Sequence, residues 1–347
     1  MEGTRMKWFS PVVEPFELEG MAFFEKDRVF RRLPLNPDSP LPAEVERLSW
    51  NTAGVQMRFH ARLRKLAVRV RVTEQHVCDH LTAMAKNGFD CYADDGSGLR
   101  FYAVGRFDRS QTEYESVFFE FDEPQELELV VDFPLYSGVS DVLFGFDWDA
   151  EISAPAKRSY DKRVVVYGTS ITQGGCASRP GMAYTNILSR RLDAEFINLG
   201  FSGSGRAEAE VAREIAKIDG AGMFLIDCEE NCHDPEWLSG HLPEFMRILR
   251  ESHPEVPMLL LTASHKSYEL YNARETGYKL ENKRIQRELV EGLRAAGDEN
   301  VFFLDYDDIL GDSWSDETVD GVHATDLGFN NMANGLEPVI RGLLGIK

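Results

Sequence analysis

Val164-Val165-Val166-Tyr167-Gly168-Thr169-Ser170-Ile171-Thr172 is the stretch that decides how this 347-residue chain folds. Its first four residues form a continuous apolar run, rich in β-branched side chains, that suits a strand buried on both faces of a parallel sheet. Gly168 then breaks the strand. A serine placed where such a strand turns toward a helix sits at the carboxyl edge of the sheet, where open α/β folds bind their ligands. Its hydroxyl is expected to face a cleft. Serine is a weak nucleophile at neutral pH and needs a base within hydrogen-bond reach, itself held by a third group. Asp320-Gly321-Val322-His323, far downstream, offers both on one short loop. Taken singly, each segment has an ordinary alternative: Ser and Thr after Gly serve as turn or N-cap residues, and Asp-Gly-x-His forms common loops.

Acyl transfer also needs donors aimed at the oxyanion that develops in the transition state. Two intermediate segments supply candidates. Asn198-Leu199-Gly200-Phe201-Ser202-Gly203-Ser204-Gly205 follows the strand-like Phe196-Ile197 and precedes a helical stretch from Ala207 to Lys217. Asp227-Cys228-Glu229-Glu230-Asn231 follows a second strand candidate, Met223-Phe224-Leu225-Ile226, and ends in an amide donor.

Strands continue at Val256–Leu261 and Val301–Leu304, with helices expected near Tyr184–Leu192, Trp237–Arg250, Lys279–Ala296 and Leu327–Leu344. Strands alternating with helices of this length imply parallel βαβ units and a flavodoxin-like three-layer αβα sandwich. Before Val164 the pattern differs. In Leu66-Ala67-Val68-Arg69-Val70-Arg71-Val72 apolar and basic residues take turns, the mark of antiparallel strands with one wet face. Similar strands are expected at Gly54–Phe59, Leu99–Val104, Ser116–Phe121 and Leu127–Val131, with turns at Asp94-Asp95-Gly96-Ser97-Gly98 and Asp122-Glu123-Pro124. These features predict an all-β, jelly-roll-like sandwich over residues 1–152. Residues 153–347 form the α/β unit, with Ala150–Arg163 as the linker.

The four blocks, in order, resemble those of the SGNH hydrolases, or GDSL esterases and lipases. The resemblance implies Ser170 as nucleophile, His323 as base and Asp320 as its orienting acid. It implies an oxyanion hole from the Ser170 amide, the Gly203 amide and the Asn231 side chain. The run Gly168–Gly181 is similar to a bacterial subfamily with an added N-terminal β-domain, and Gly88-Phe89-Asp90-Cys91-Tyr92 resembles that subfamily's Gly-x-Asp-Leu-Tyr signature. Two departures stand out: Thr169 replaces the Asp of Gly-Asp-Ser-Leu, and the Asn block lacks its Gly-x-Asn-Asp form. Glu229, Glu230 and the Asn198 amide are therefore alternatives to Asn231. The family implies an ester hydrolase. No long apolar insertion near the blocks suggests a lipid-binding lid, so a small acyl group, acetyl first, is expected. The fused sandwich is similar to two-domain carbohydrate esterases, so an O-acetylated sugar is the expected substrate. A thioesterase, a general arylesterase and a non-catalytic carbohydrate-binding protein are the alternative readings.

Composition agrees with an enzyme of this size. Lys plus Arg number 38 against 58 Asp plus Glu, a net charge of -20, which argues against nucleic acid or an anionic membrane as partner. No signal-peptide core and no bilayer-length apolar run is present, so a cytoplasmic protein is expected. A homo-oligomer is compatible with such a chain. The absence of a P-loop and of Gly-x-Gly-x-x-Gly points to no cofactor. Cys78, Cys91, Cys176, Cys228 and Cys232 read as free thiols. Neither Cys228 with Cys232 nor His76-x-Cys78-x-His80 has the spacing of a known metal motif, and the histidines are expected at the surface. Arg179, Tyr184, His233 and Trp237 are further candidates to line the cleft.

Overall fold

The computed structural model describes residues 5–75, 78–232 and 234–346. Residues 6–153 build one antiparallel sheet from β1 (Met6–Phe9), β2 (Glu17–Glu19), β3 (Gln56–Val72), β4 (Asp90–Asp94), β5 (Arg100–Val104), β6 (Glu113–Asp132), β7 (Val139–Asp147) and β8 (Glu151–Ser153). The order is β1-β7-β3-β6-β4-β5, with β2 and β8 pairing β3 off this path. The alternation expected at Leu66–Val72 holds. Val68, Val70 and Val72 are buried while Arg69 and Arg71 are exposed and pair across the strand with Glu115 and Glu113.

Two expectations fail here for one reason. The segments Gly54–Phe59 and Leu66–Val72 belong to a single strand, β3, and Asp122-Glu123-Pro124 is no chain reversal but lies inside β6. The register shifts between Leu63 and Lys65, opposite Gln125 and Glu120, so the breakers form a bulge at which both long strands bend. The early half of β3 then has β2 and β8 beside it, and the late half has β7. Phe59 of the early half meets Phe146 of β7 with ring centroids 5.5 Å apart, and Phe16 packs against both. The bent sheet thus closes on one core as a jelly-roll-like sandwich. The linker is also shorter than Ala150–Arg163, because β8 and the next strand occupy both of its ends.

The second half contains β9 (Tyr160–Gly168), β10 (Ala194–Gly200), β11 (Ala221–Asp227), β12 (Met258–Leu261) and β13 (Val301–Leu304), all parallel, in the order β10-β9-β11-β12-β13. This is the flavodoxin-like order, whose topological switch point lies at the carboxyl ends of β9 and its neighbours. In chain order the helices before this sheet are α1 (Phe24–Asp27), α2 (Ala43–Leu48) and α3 (Ala83–Asn87). Those within it are α4 (Ser170–Gln173), α5 (Tyr184–Leu192), α6 (Ala209–Ile215), α7 (Pro235–Ser252), α8 (Ala273–Ala295), α9 (Asp307–Leu310) and α10 (Asp326–Leu344). Strand β9 buries alternate residues on opposite faces. Val165 and Tyr167 join a core with Val211 of α6, Leu242 and Phe245 of α7 and Val290 of α8. Val164 and Val166 join another with Ile187 of α5 and Met332 and Leu336 of α10. Three layers result.

The N-terminal half also enters the α/β core. Phe23, Leu33, Leu41, Val45 and Leu48 share one buried cluster with Val165, Ile197 and Phe201. Within it Arg32, fully buried, donates to the carbonyls of Asn198 (3.1 Å), Gly200 (2.7 Å) and Leu48 (2.7 Å). A guanidinium there satisfies strand-end carbonyls of β10 that would otherwise be buried without partners.

Candidate active site

Ser170 opens the single turn α4 directly after β9. Thr169 caps it, its hydroxyl accepting from the Ile171 amide, while its own amide donates to Thr172 Oγ1 at 3.3 Å in a reciprocal capping box. The residue that replaces the usual Asp therefore holds the serine turn by capping. Thr172 Oγ1 donates in turn to Asp227 Oδ2 (3.0 Å), which also accepts from Tyr184 (2.9 Å). Space beneath the turn is tight: a Cβ on Gly168 would lie 2.0 Å from Thr172 Oγ1 and 2.5 Å from the Asp227 carbonyl, so only glycine fits. Tyr136, from the loop after β6, donates to the Ser170 carbonyl at 3.0 Å.

Ser170 Oγ lies 2.9 Å from His323 Nε2, and His323 Nδ1 lies 2.7 Å from Asp320 Oδ2. The loop carrying both residues is a tight turn, in which Asp320 Oδ1 accepts from the Val322 and His323 amides at 3.0 and 2.8 Å. Burial alone would raise the Asp320 carboxyl, but the hydrogen bonds from the His323 amide and ring outweigh it and hold the group below the usual carboxylate range. The carboxylate stays charged, fixes the ring through Nδ1–H, and leaves Nε2 to accept from the serine.

Gly203 and Asn231 come to the same cleft from the ends of β10 and β11. Gly203 takes φ +70°, which favours glycine, in the turn closed by the Ser204 amide on the Phe201 carbonyl. Asn231 Oδ1 accepts from the Gly205 amide at 3.0 Å, an orientation that leaves its NH₂ as the free end. The cleft has a volume of about 640 Å³ and is lined by Ser170, Gly203, Asn231 and His323 together with Glu230, Lys266, Tyr268, Asn272 and Glu275. Lys266 Nζ meets Glu230 Oε2 at 2.6 Å. Burial would lower the ammonium, yet Glu230 raises it, so the lysine remains charged.

Of the alternatives to Asn231, Glu230 lines the cleft beside it. Glu229 is buried against the Ala263 amide and Gln286, and the Asn198 side chain donates to the Thr172 carbonyl and Thr185. Three of the suggested lining residues face elsewhere. Tyr184 is buried beneath the turn, Arg179 binds Asp90, and Trp237 stacks on His241 under Arg206. His233 and His76 lie outside the described residues. Sequence reasoning missed Tyr136, Lys266, Tyr268, Asn272 and Glu275, which no local motif marks. It also missed that His80, from the N-terminal half, lies over His323 with ring centroids 5.6 Å apart.

Comparisons with known proteins agree with this architecture. The GDSL-like lipase/acylhydrolase family profile matches residues 161–341, and the N-terminal domain of the SGNH-hydrolase-type esterases matches residues 6–152. No curated protein matches the chain. A crystal structure described as a GDSL-like lipase from Bacteroides ovatus is 31% identical over 99% of both chains, with a TM-score of 0.89. A salicylyl-acyltransferase from a tetracycline biosynthetic pathway is 16% identical over 99% of both chains, with a TM-score of 0.77. An acetyl xylan esterase from Butyrivibrio proteoclasticus is 14% identical over 99% of this chain and 100% of its own, with a TM-score of 0.58. At those two identities the likeness is one of fold. The family profile covers more than half the chain and a relative matches it end to end, so this protein belongs to the GDSL-like lipase/acylhydrolase family and is a carboxylic ester hydrolase.

Proposed function

We propose that the chain hydrolyses a small-acyl ester, acetyl foremost, of a carbohydrate, through Ser170, His323, Asp320 and a covalent acyl-enzyme. The observation that carries this reading is the hydrogen-bonded run from Ser170 Oγ through His323 to Asp320, opening into a polar cleft. As Ser170 Oγ attacks the ester carbonyl, His323 Nε2 takes its proton and Asp320 stabilises the imidazolium. The oxyanion receives the amides of Ser170 and Gly203 and the Asn231 NH₂. Ser170 stands at the first position of its helix, so its amide is not used in the helical ladder. The departing alkoxide takes the proton from His323, and water then repeats the sequence on the acyl-enzyme.

Two features support the substrate class. Ile171 and Val322 flank the reacting pair, and the apolar cavity behind them, with Trp314, Ala324 and Met332, holds only about 20 Å³, on the scale of one water. A short acyl group is favoured. The cleft otherwise offers Glu230, Lys266, Asn272 and Glu275 as hydrogen-bonding groups beside the half-exposed ring of Tyr268, and Glu230 Oε1 is buried without a protein partner. A polyhydroxylated alcohol supplies donors for such acceptors and an apolar face for the ring. The likeness to an acetyl xylan esterase points the same way. In this reading residues 153–347 are the catalytic unit, and residues 1–152 are the β-unit that supports the serine turn through Tyr136.

Comparing kcat/KM for acetylated xylo-oligosaccharides, acetyl thioesters and p-nitrophenyl esters from acetyl to octanoyl tests the proposal. Acetylated sugars are expected to lead. A clear preference for octanoyl esters would overturn the acyl size, and turnover confined to thioesters would overturn the alcohol.

A further inference from the structure

We propose that His80, Cys176 and His323 form a binding site for a soft divalent cation of the zinc class, and that its occupation switches the hydrolase off. The three side chains come from the loop before α3, the turn after α4 and the loop before α10. Their ligand atoms all lie within 4.8 Å of one another. Zinc holds nitrogen at about 2.0 Å and sulfur at about 2.3 Å, which places tetrahedral ligand atoms about 3.3–3.8 Å apart. Binding at that spacing requires the three side chains to draw together, and leaves the fourth corner for water.

Both imidazoles already carry the outer partner that metal-bound histidines usually have. Asp320 holds His323 Nδ1 at 2.7 Å, which leaves Nε2 as the ligand atom of that ring, and His80 Nδ1 lies 3.1 Å from Asp79 and 3.4 Å from Cys78 Sγ. Such carboxylate–histidine pairs fix the tautomer and raise the basicity of the metal-binding nitrogen. Cys176 adds the soft ligand, and its backbone is held at φ +72°, a region a residue with a Cβ rarely occupies. His80 is exposed, which gives an ion from solvent a path inward. One thiol proton is released to water as the Cys176 sulfur binds, His323 gives its Nε2 lone pair and His80 a ring-nitrogen lone pair, and no electron is transferred. His323 Nε2 is then no longer able to accept from Ser170 Oγ. The loss of activity rests on the role proposed above for His323, whereas cation binding does not.

The test uses the full chain, stripped with EDTA, freed of chelator and kept in a non-thiol reductant. ZnCl₂ is titrated by calorimetry and, in parallel, against p-nitrophenyl acetate hydrolysis. One ion per chain, inhibition reversed by EDTA and no effect of Mg²⁺ are expected. His80→Ala and Cys176→Ser should each keep hydrolysis in EDTA and weaken zinc binding by about tenfold or more. If Cys176→Ser does not fold, His80→Ala carries the comparison. Zinc affinity equal in wild type and variants, or no binding, would overturn the site. Binding at the site without inhibition would overturn the switch. If no acetate hydrolysis were seen in any preparation, the esterase reading would fail while calorimetry still decided the cation site.

Discussion

Arg179 and Asp90 join the serine turn to the β-sandwich: Arg179 Nη1 meets Asp90 Oδ2 at 2.5 Å while its guanidinium lies 3.8 Å from the ring centroid of Phe101. Asp90 also accepts from the Gly181 amide, and Tyr92 accepts from Arg179 and donates to the Gly181 carbonyl. The signature Gly88-Phe89-Asp90-Cys91-Tyr92 is thus the receptor for Arg179-Pro180-Gly181, on the loop that leaves α4. Asp90 is completely buried, with Asp132 nearby, and burial raises its carboxyl.

Removing Arg179 leaves that acid without its main partner. Arg179→Ala is expected to cost about 3 kcal/mol in stability. Arg179→Lys should be intermediate, since it keeps charge and loses the planar stacking. Chemical denaturation measures both, and an unchanged midpoint in Arg179→Ala would show that the contact contributes nothing.

Asp227, beneath the serine turn, gives a pH signature. Burial, opposed by hydrogen bonds from Tyr184 and Thr172 and aided by Glu230 and Glu229, raises its carboxyl from 3.8 to about 7. Between those values the folded chain keeps a proton that the unfolded chain has released, so stability from this group falls as pH rises through the window and is constant above it. At about 1.4 kcal/mol per unit, the loss amounts to a few kcal/mol. Asp227→Asn lacks this slope. Denaturation from pH 4 to 8 should show wild type losing ground to the variant as pH rises, and parallel curves would refute the assignment.

Asn231→Ala tests the oxyanion donor. The expected result is a kcat lower by about 10²–10³, with KM changed far less, because the amide acts on charge that develops only in the transition state. Steady-state kinetics with p-nitrophenyl acetate separates this from a binding role, which would appear chiefly in KM.

Much of the α/β half was legible in the sequence because its strands are continuous apolar runs and its helices carry clear periodicity. Helix α5 and strand β13 match the expectation residue for residue. Helix α8 starts earlier than Lys279, where Asn272 caps it by accepting from the Arg274 and Glu275 amides. In the β half, Asp122-Glu123-Pro124 carries the composition of a turn, and local sequence does not distinguish a reversal from a bulge that bends a strand whose partners lie far away in the chain. The Ser, Gly and Asn blocks were readable because each follows a strand end, of β9, β10 and β11, whereas the His block follows the 3-10 turns of Gly311–Glu317 and was readable only from its own Asp-Gly-x-His spacing. Tyr136, Arg32 and Lys266 act through contacts made only after folding, so nothing around them in sequence marks their places.

Ile171→Ala probes acyl size. Shortening this side chain should join the cleft to the small cavity beside Trp314 and raise kcat/KM for butyryl relative to acetyl esters by about tenfold. A ratio equal to that of wild type would mean that this wall does not limit the acyl group.

Nucleophilic attack by Ser170 is most directly tested by mass spectrometry of protein quenched during p-nitrophenyl acetate turnover, with Ser170→Ala alongside. One acetyl group on the peptide carrying Ser170 in wild type, none in the variant, and a kcat reduced by about 10⁴–10⁶ are predicted. An acetyl group on another residue, or full activity in Ser170→Ala, would contradict the account.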